Sequence, residues 1–191
     1  LKTLSFILVL FILCAFGTSP VAEQFQVDST AYEVPAQWLK HKIDSTGIPA
    51  PAELVRLPSQ YTFDNYRIYV RPETRRAFLA MATQAEQDSI DLIVDSGFRS
   101  LSFQRRIISH RLHDGQPIES ILTMVAPPGY SEHHTGRALD FVPSEASFAR
   151  TSTYRWLMRN AGRFGFVESL PDSSDNSLSW EPWHWLYQPA R

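Results

Sequence analysis

The chain has 191 residues, of which 43% are hydrophobic, 20% charged and 13% aromatic, a composition that suits one globular domain with a full core. A formal net charge of −2 and the lack of any polybasic run exclude a general nucleic-acid binder, which would carry a basic face. The single cysteine, Cys14, excludes a disulfide framework and a thiolate metal site.

Lys2 precedes an apolar run from Leu4 to Phe16, and Gly17, Thr18, Ser19, Pro20 and Ala22 follow, which is the layout of a secretory signal peptide over residues 1–22. The run is 13 residues long, short of the roughly 20 that span a bilayer as a helix. Removal is therefore expected, at Ala15-Phe16-Gly17 or Pro20-Val21-Ala22, the alternative being an uncleaved N-terminal anchor. Cys14 would leave with this segment, and Leu13 before it does not fit a lipidated cysteine. The protein is accordingly expected to be exported to a periplasm or cell envelope, monomeric, with no stable membrane span after processing.

Glu23 to Tyr61 is rich in Pro, Ser, Thr and Ala, and Pro35, Pro49, Pro51 and Pro58 forbid long helices there. This stretch, residues 23–61, is expected as an arm packed over a domain formed by residues 62–191. Tyr66–Val70 reads as a strand, and Pro72 opens a helix with Phe78, Met81 and Ala85 on its core face. Leu92–Val94 is expected as a buried strand, followed at Ser100 or Ser102 by a helix burying Phe103, Ile107, Ile108 and Leu112 and ending at Gly115. Ile118–Val125 suggests a short helix and Ala126–Tyr130 a rigid loop. Ala138–Val142 alternates as a strand does, placing Asp140 on the face opposite Leu139 and Phe141. A helix from about Ser147 or Thr153 to Ala161, a strand Phe166–Glu168, a polar loop Pro171–Ser179 and a last strand Trp180–Tyr187 complete the chain.

Two segments carry the chemistry. In Ser131 to Asp140, a histidine and an aspartate are separated by six residues, counting from His133, or by five, counting from His134. In Glu181-Pro182-Trp183-His184, another imidazole follows another carboxylate by three positions. Two His and one Asp with a fourth position open is a catalytic Zn²⁺ donor set, whereas a structural site fills all four positions and favours Cys. Glu181 then remains as a base, and Arg99, at the junction of a strand and a helix, is placed to hold an anion. From spacing alone, His133 and His134 are both open as the ligand.

The segment Ser131–Asp140 fits the pattern S-x-H-x-x-G-x-A-x-D, and Glu181–His184 fits E-x-W-H. Asp95-Ser96-Gly97-Phe98-Arg99-Ser100 with Gln104 downstream fits a third block, with Phe98 in place of the common Tyr. In these blocks the chain resembles the zinc D,D-peptidases that process bacterial peptidoglycan, most of all the VanY-type D-alanyl-D-alanine carboxypeptidases. The resemblance covers about Tyr66 to Tyr187. It implies an α+β fold, a small central antiparallel sheet with helices packed outside, in a single domain with zinc on the open face of the sheet. It further implies one Zn²⁺ on His133, Asp140 and His184, Glu181 as general base, and Arg99, Gln104 and Ser131 as substrate contacts, with Arg99 also stabilising charge in the reaction. The implied substrate is a peptidoglycan stem peptide ending in D-Ala-D-Ala. Rival readings are a dipeptidase or endopeptidase cut on the same fold, or a metal-containing binding module without catalysis, for which an unligated Glu181 has no use.

Overall fold

The computed structural model describes residues 22–172 and 178–188. The expected signal peptide therefore lies outside the described residues except for Ala22, as does the middle of the Pro171–Ser179 loop. Among the described residues no helix is long and apolar enough to cross a membrane.

The elements run β1 (Gln24–Val27), β2 (Thr30–Glu33), α1 (Ala36–Leu39), β3 (Val55–Arg56), β4 (Tyr69–Val70), α2 (Pro72–Gln87), β5 (Val94–Ser96), α3 (Leu101–His113), α4 (Ile118–Ile121), β6 (Ala138–Phe141), α5 (Ser152–Asn160), β7 (Phe166–Glu168) and β8 (His184–Tyr187), with short 3₁₀ turns between them. The central sheet has four strands in the order β5-β6-β8-β7, and every pair is antiparallel. This is the expected α+β arrangement of a small antiparallel sheet with helices against it. Two short hairpin-like ladders, β1 with β2 and β3 with β4, lie apart from it.

Strand β6 organises the core because all four of its residues are buried. Leu139 and Phe141 point into a cluster with Phe78, Met81 and Ala85 of α2, Val94 of β5, Trp156 and Leu157 of α5, and Trp183. Phe141 stacks on Phe148 with ring centroids 6.4 Å apart and tilts against Phe78 at 6.3 Å. Burying one such ring stabilises the fold by about 1.5–3 kcal/mol. A second cluster joins Phe25 and Val27 of β1, Trp38 of α1, Ile108 of α3, Ile121 of α4, Val125, Tyr130 and Leu170.

Residues 22–61 contain only short elements, as their prolines dictate. They are tied to the rest at several points. Trp38 Nε1 donates to the Leu122 carbonyl at 2.8 Å, Ile43 N to the Gly129 carbonyl at 2.8 Å, and Ser109 Oγ to Asp28 Oδ2 at 2.9 Å.

Three local expectations are revised. Phe103 is 45% exposed, with Arg106 lying over its ring, and Gln104 is buried in its place. Gln104 and Ile108, four apart, are the buried pair of α3, which turns Phe103 toward solvent. The last strand begins at His184 rather than Trp180, because Pro182 has no N–H and the chain turns there, with His184 N donating to the Glu181 carbonyl at 2.9 Å. Of the expected strand Tyr66–Val70, only Tyr69 and Val70 pair, with Arg56 and Val55.

Candidate active site

The site grows out of the sheet register. Asp140 of β6 faces His184 of β8 as a direct cross-strand pair, and Ser96 at the end of β5 faces Asp140 from the other side. His133 arrives on a 3₁₀ turn, Glu132–Thr135, that starts at Ser131 and is closed by Gly136. Gly136 sits at φ +68°, and a Cβ there would come within 3.3 Å of the Arg71 backbone nitrogen, so both the backbone and the space call for glycine.

Each imidazole is aimed by the nitrogen facing away from the site. His133 Nδ1 donates to the Gly97 carbonyl at 2.6 Å, which leaves Nε2 3.1 Å from Asp140 Oδ2. His184 Nε2 lies 2.9 Å from Glu132 Oε2, which turns Nδ1 to within 2.9 Å of Asp140 Oδ1. His133, Asp140 and His184 are each only 3% exposed. One donor atom from each falls in a set within 4.8 Å of one another, so these three residues could hold a metal ion. Two ligands bound at about 2.0 Å in tetrahedral geometry stand about 3.3 Å apart, near the 3.1 and 2.9 Å that separate the two imidazoles from the Asp140 carboxylate, with the full set inside 4.8 Å. The residues present therefore fit a Zn²⁺ ion.

His134, the neighbour that spacing left open, has both ring nitrogens engaged elsewhere. Its Nδ1 donates to the Arg99 carbonyl at 2.6 Å, and its Nε2 accepts from Gly129 N at 3.1 Å. Burial lowers its pKa, in keeping with a neutral ring that donates on one side and accepts on the other.

The three donors shift in different directions, each for its own reason. Burial alone would lower the His184 pKa, but its hydrogen bonds to Asp140 and Glu132 outweigh it and push the value up to about 10. His133 goes the other way, to about 4, through burial and the nearby Arg99 guanidinium. Burial would raise Asp140, yet His133 and Arg99 hold its carboxyl well below the usual range. Arg99 Nη2 pairs with Asp140 Oδ2, and its Nε donates to Ser96 Oγ at 2.9 Å.

Glu181 behaves differently from the other carboxylates. Burial pushes its pKa up to about 7. Among the described residues no hydrogen bond to its carboxylate is found, although it borders the same cleft as the three donors. The cleft has a volume of about 400 Å³ and also takes in Arg99, Gln104 and Ser131. Gln104 Nε2 donates to the Ala126 carbonyl at 2.8 Å, while its Oε1 is buried without a partner among the described residues. Arg99, Gln104, Ser131, His133, Asp140, Glu181 and His184 thus border one cleft, and His134 does not line it. Sequence reasoning missed Glu132, which lies between Ser131 and His133 but was passed over as a variable position. It also missed Trp38 and His41, which line the cleft from outside the recognisable blocks.

A small antiparallel sheet presenting two histidines and an aspartate to a cleft, with Glu181 on its border, is the arrangement expected of single-metal hydrolases with an open coordination position. Residues 67–190 match the family described as VanY, D-alanyl-D-alanine carboxypeptidase. The chain belongs to that family. It is 31% identical over 150 residues to a D-alanyl-D-alanine carboxypeptidase of Enterococcus faecalis, a match covering 73% of this chain and 54% of that relative, so the chain spans about half the relative's length. Among solved structures, the LdcB LD-carboxypeptidase superposes with a TM-score of 0.65 at 28% identity, covering 74% of this chain and 70% of that one. A glutamate-to-alanine mutant of the vancomycin resistance D,D-pentapeptidase VanY, in complex with Zn(II), superposes with a TM-score of 0.53 at 28% identity, covering 69% and 82%.

Proposed function

We propose that the protein is a zinc-dependent D,D-carboxypeptidase that removes the terminal D-Ala from peptidoglycan stem peptides ending in D-Ala-D-Ala. The observation that carries this reading is the convergence of His133 Nε2, His184 Nδ1 and the Asp140 carboxylate in one cleft with Glu181, whose carboxylate has no hydrogen-bond partner among the described residues and whose pKa burial pushes up to about 7. Family membership and the Zn(II)-bound relative support the same reading.

His133, Asp140 and His184 would hold the metal, which supplies a Lewis acid and acidifies water. Glu181 ionises near neutrality, so its carboxylate takes a proton from the attacking water and passes it to the leaving amine of D-Ala. The Arg99 guanidinium supplies fixed positive charge toward the substrate carboxylate or the oxygen that becomes negative as the carbonyl is attacked. Gln104 and Ser131 offer hydrogen-bonding groups along the same wall. Residues 23–61 act as an arm that closes one side of the cleft with Trp38 and His41, and residues 62–191 form the peptidase domain. The substrate implies export, with residues 1–22 as signal peptide and the envelope or periplasm as destination. The protein is read as a monomer with no nucleic-acid partner.

The test is D-alanine release from a muramyl pentapeptide ending in D-Ala-D-Ala, with and without chelator and with Zn²⁺ restored. Chelator-sensitive release of single D-alanine is expected. A second reading, an L,D cut that frees a D-residue following an L-residue, is favoured by the likeness to the LD-carboxypeptidase. A tetrapeptide lacking the last D-Ala separates the two: release from it alone would overturn the D,D assignment.

A further inference from the structure

We infer that Glu132, buttressed by Ser169, is a positioning residue that selects the metal-facing nitrogen of His184. The inference rests on the reading that His133, Asp140 and His184 bind zinc. Glu132 Oε2 sits 2.9 Å from His184 Nε2 and receives the Ser169 hydroxyl at 2.6 Å. These contacts join three separate pieces of chain: the turn that carries His133, the residue that follows β7, and the first residue of β8.

A carboxylate only accepts hydrogen bonds, so the ring nitrogen facing it keeps its proton and the opposite nitrogen carries the lone pair. Asp140 faces Nδ1 as a second carboxylate, so the metal-free ring can hold both protons; with Nε2–H kept by Glu132, the proton that leaves when the ring becomes a ligand is the one on Nδ1, and the lone pair then lies on that nitrogen. The other histidine is aimed by a neutral group, the Gly97 carbonyl, on the opposite ring nitrogen. The two imidazoles thus meet the centre through different nitrogens, and only His184 has a charged partner behind it. A carboxylate in that place makes the ring a stronger donor as well as orienting it.

The two glutamates of the cleft divide their work accordingly. Glu132 spends its Oε2 on His184 and Ser169, while Glu181, without a hydrogen-bond partner among the described residues, is free to move a proton.

The experiment measures zinc affinity of the mature chain by competition with a chromophoric chelator, and the visible spectrum of the Co²⁺-substituted protein, for wild type, Glu132→Ala, Glu132→Gln and Ser169→Ala. Loss of an outer carboxylate partner costs about 10- to 100-fold in metal affinity, and that loss with an altered Co²⁺ spectrum is expected for Glu132→Ala. Glu132→Gln keeps an acceptor oxygen and is expected to fall between the two, with Ser169→Ala closest to wild type. Urea melts of the metal-free proteins identify any variant that has not folded. If Glu132→Ala is one, Glu132→Gln decides, a weakened affinity supporting the role and a wild-type affinity overturning it. Wild-type affinity and spectrum in a folded Glu132→Ala overturn the inference alone. A folded wild type that takes up no zinc overturns it together with the metal reading.

Discussion

Asp140 and His184 are direct cross-strand partners, and the register that pairs β6 with β8 also brings Asp140 Oδ1 to 2.9 Å from His184 Nδ1. The candidate metal centre is thus built into the sheet. A slip of one residue would turn both side chains to the opposite face and bury the site's donors in the hydrophobic cluster. The same pairing makes the centre rigid, since Leu139 and Trp185, the next pair along, are locked in the core.

Removing His184 takes away one of three donors. His184→Ala is expected to contain almost no zinc after dialysis while wild type holds one ion per chain, as measured by elemental analysis. Normal zinc content in the variant would break the ligand assignment.

Glu181→Ala is expected to keep its zinc and to lose about 10²- to 10⁴-fold in kcat. The acting form is the carboxylate, so kcat/KM rises with pH through the Glu181 pKa, which burial places at about 7 in the metal-free chain. A bound cation lowers that value, so the acid limb is expected at or below pH 7. The residual activity of Glu181→Gln should lack the limb, and a limb that persists unchanged would assign it to another group.

Zinc loading should release protons. The His184 pKa is raised to about 10, so the metal-free ring is charged at pH 8 and must lose a proton to become a ligand. Calorimetry in two buffers of different ionisation enthalpy is expected to report at least one proton released per zinc at pH 8, the His184 proton with any from metal-bound water added to it. The sign for stability follows from the same shift: the His184 contribution is fully present below its unfolded value near 6.5 and is lost as pH rises through about 10. Asp140, with its pKa depressed, contributes stability above its unfolded value near 3.8 that is lost on acidification. Zinc uptake without proton release would contradict the charged state of His184.

His134 is fully buried and joins the Arg99 carbonyl to the Gly129 amide. His134→Ala leaves both of those groups without their partner and opens a cavity, at a cost of about 2–4 kcal/mol. Urea unfolding should show that loss while zinc stoichiometry stays at one. A stable variant that has lost its zinc would make His134 the ligand after all.

Gly97 accepts the His133 Nδ1–H, and a Cβ on it would meet Ile68 Cγ2 at 2.7 Å and the Tyr69 carbonyl oxygen at 2.8 Å. Gly97→Ala is expected to destabilise the fold by about 1–3 kcal/mol and to weaken zinc binding by displacing the carbonyl that aims His133. Unchanged melting and unchanged affinity would show that the backbone yields there at no cost.

Much of this protein was legible in the chain itself. The helical spacing of Phe78, Met81 and Ala85 marked the core face of α2, and all three are buried. The alternation in Ala138–Val142 separated Asp140 from Leu139 and Phe141, and the two sequence blocks pointed to Asp140, His184 and one of the neighbours His133 and His134, with the resemblance favouring His133; the fold brings His133, Asp140 and His184 together. These are local properties: a helix or strand imposes its own period on neighbouring residues, and a turn closed by Gly136 delivers His133 wherever the turn is carried. Tertiary structure decided the rest. It chose the free nitrogen of each histidine, engaged His134 elsewhere, exposed Phe103 in favour of Gln104 and brought Trp38 and His41 to the cleft. His184 meets Asp140 across 44 positions and Glu132 across 52. Contacts over such separations are set by sheet register and by packing against other elements, and no local period records them.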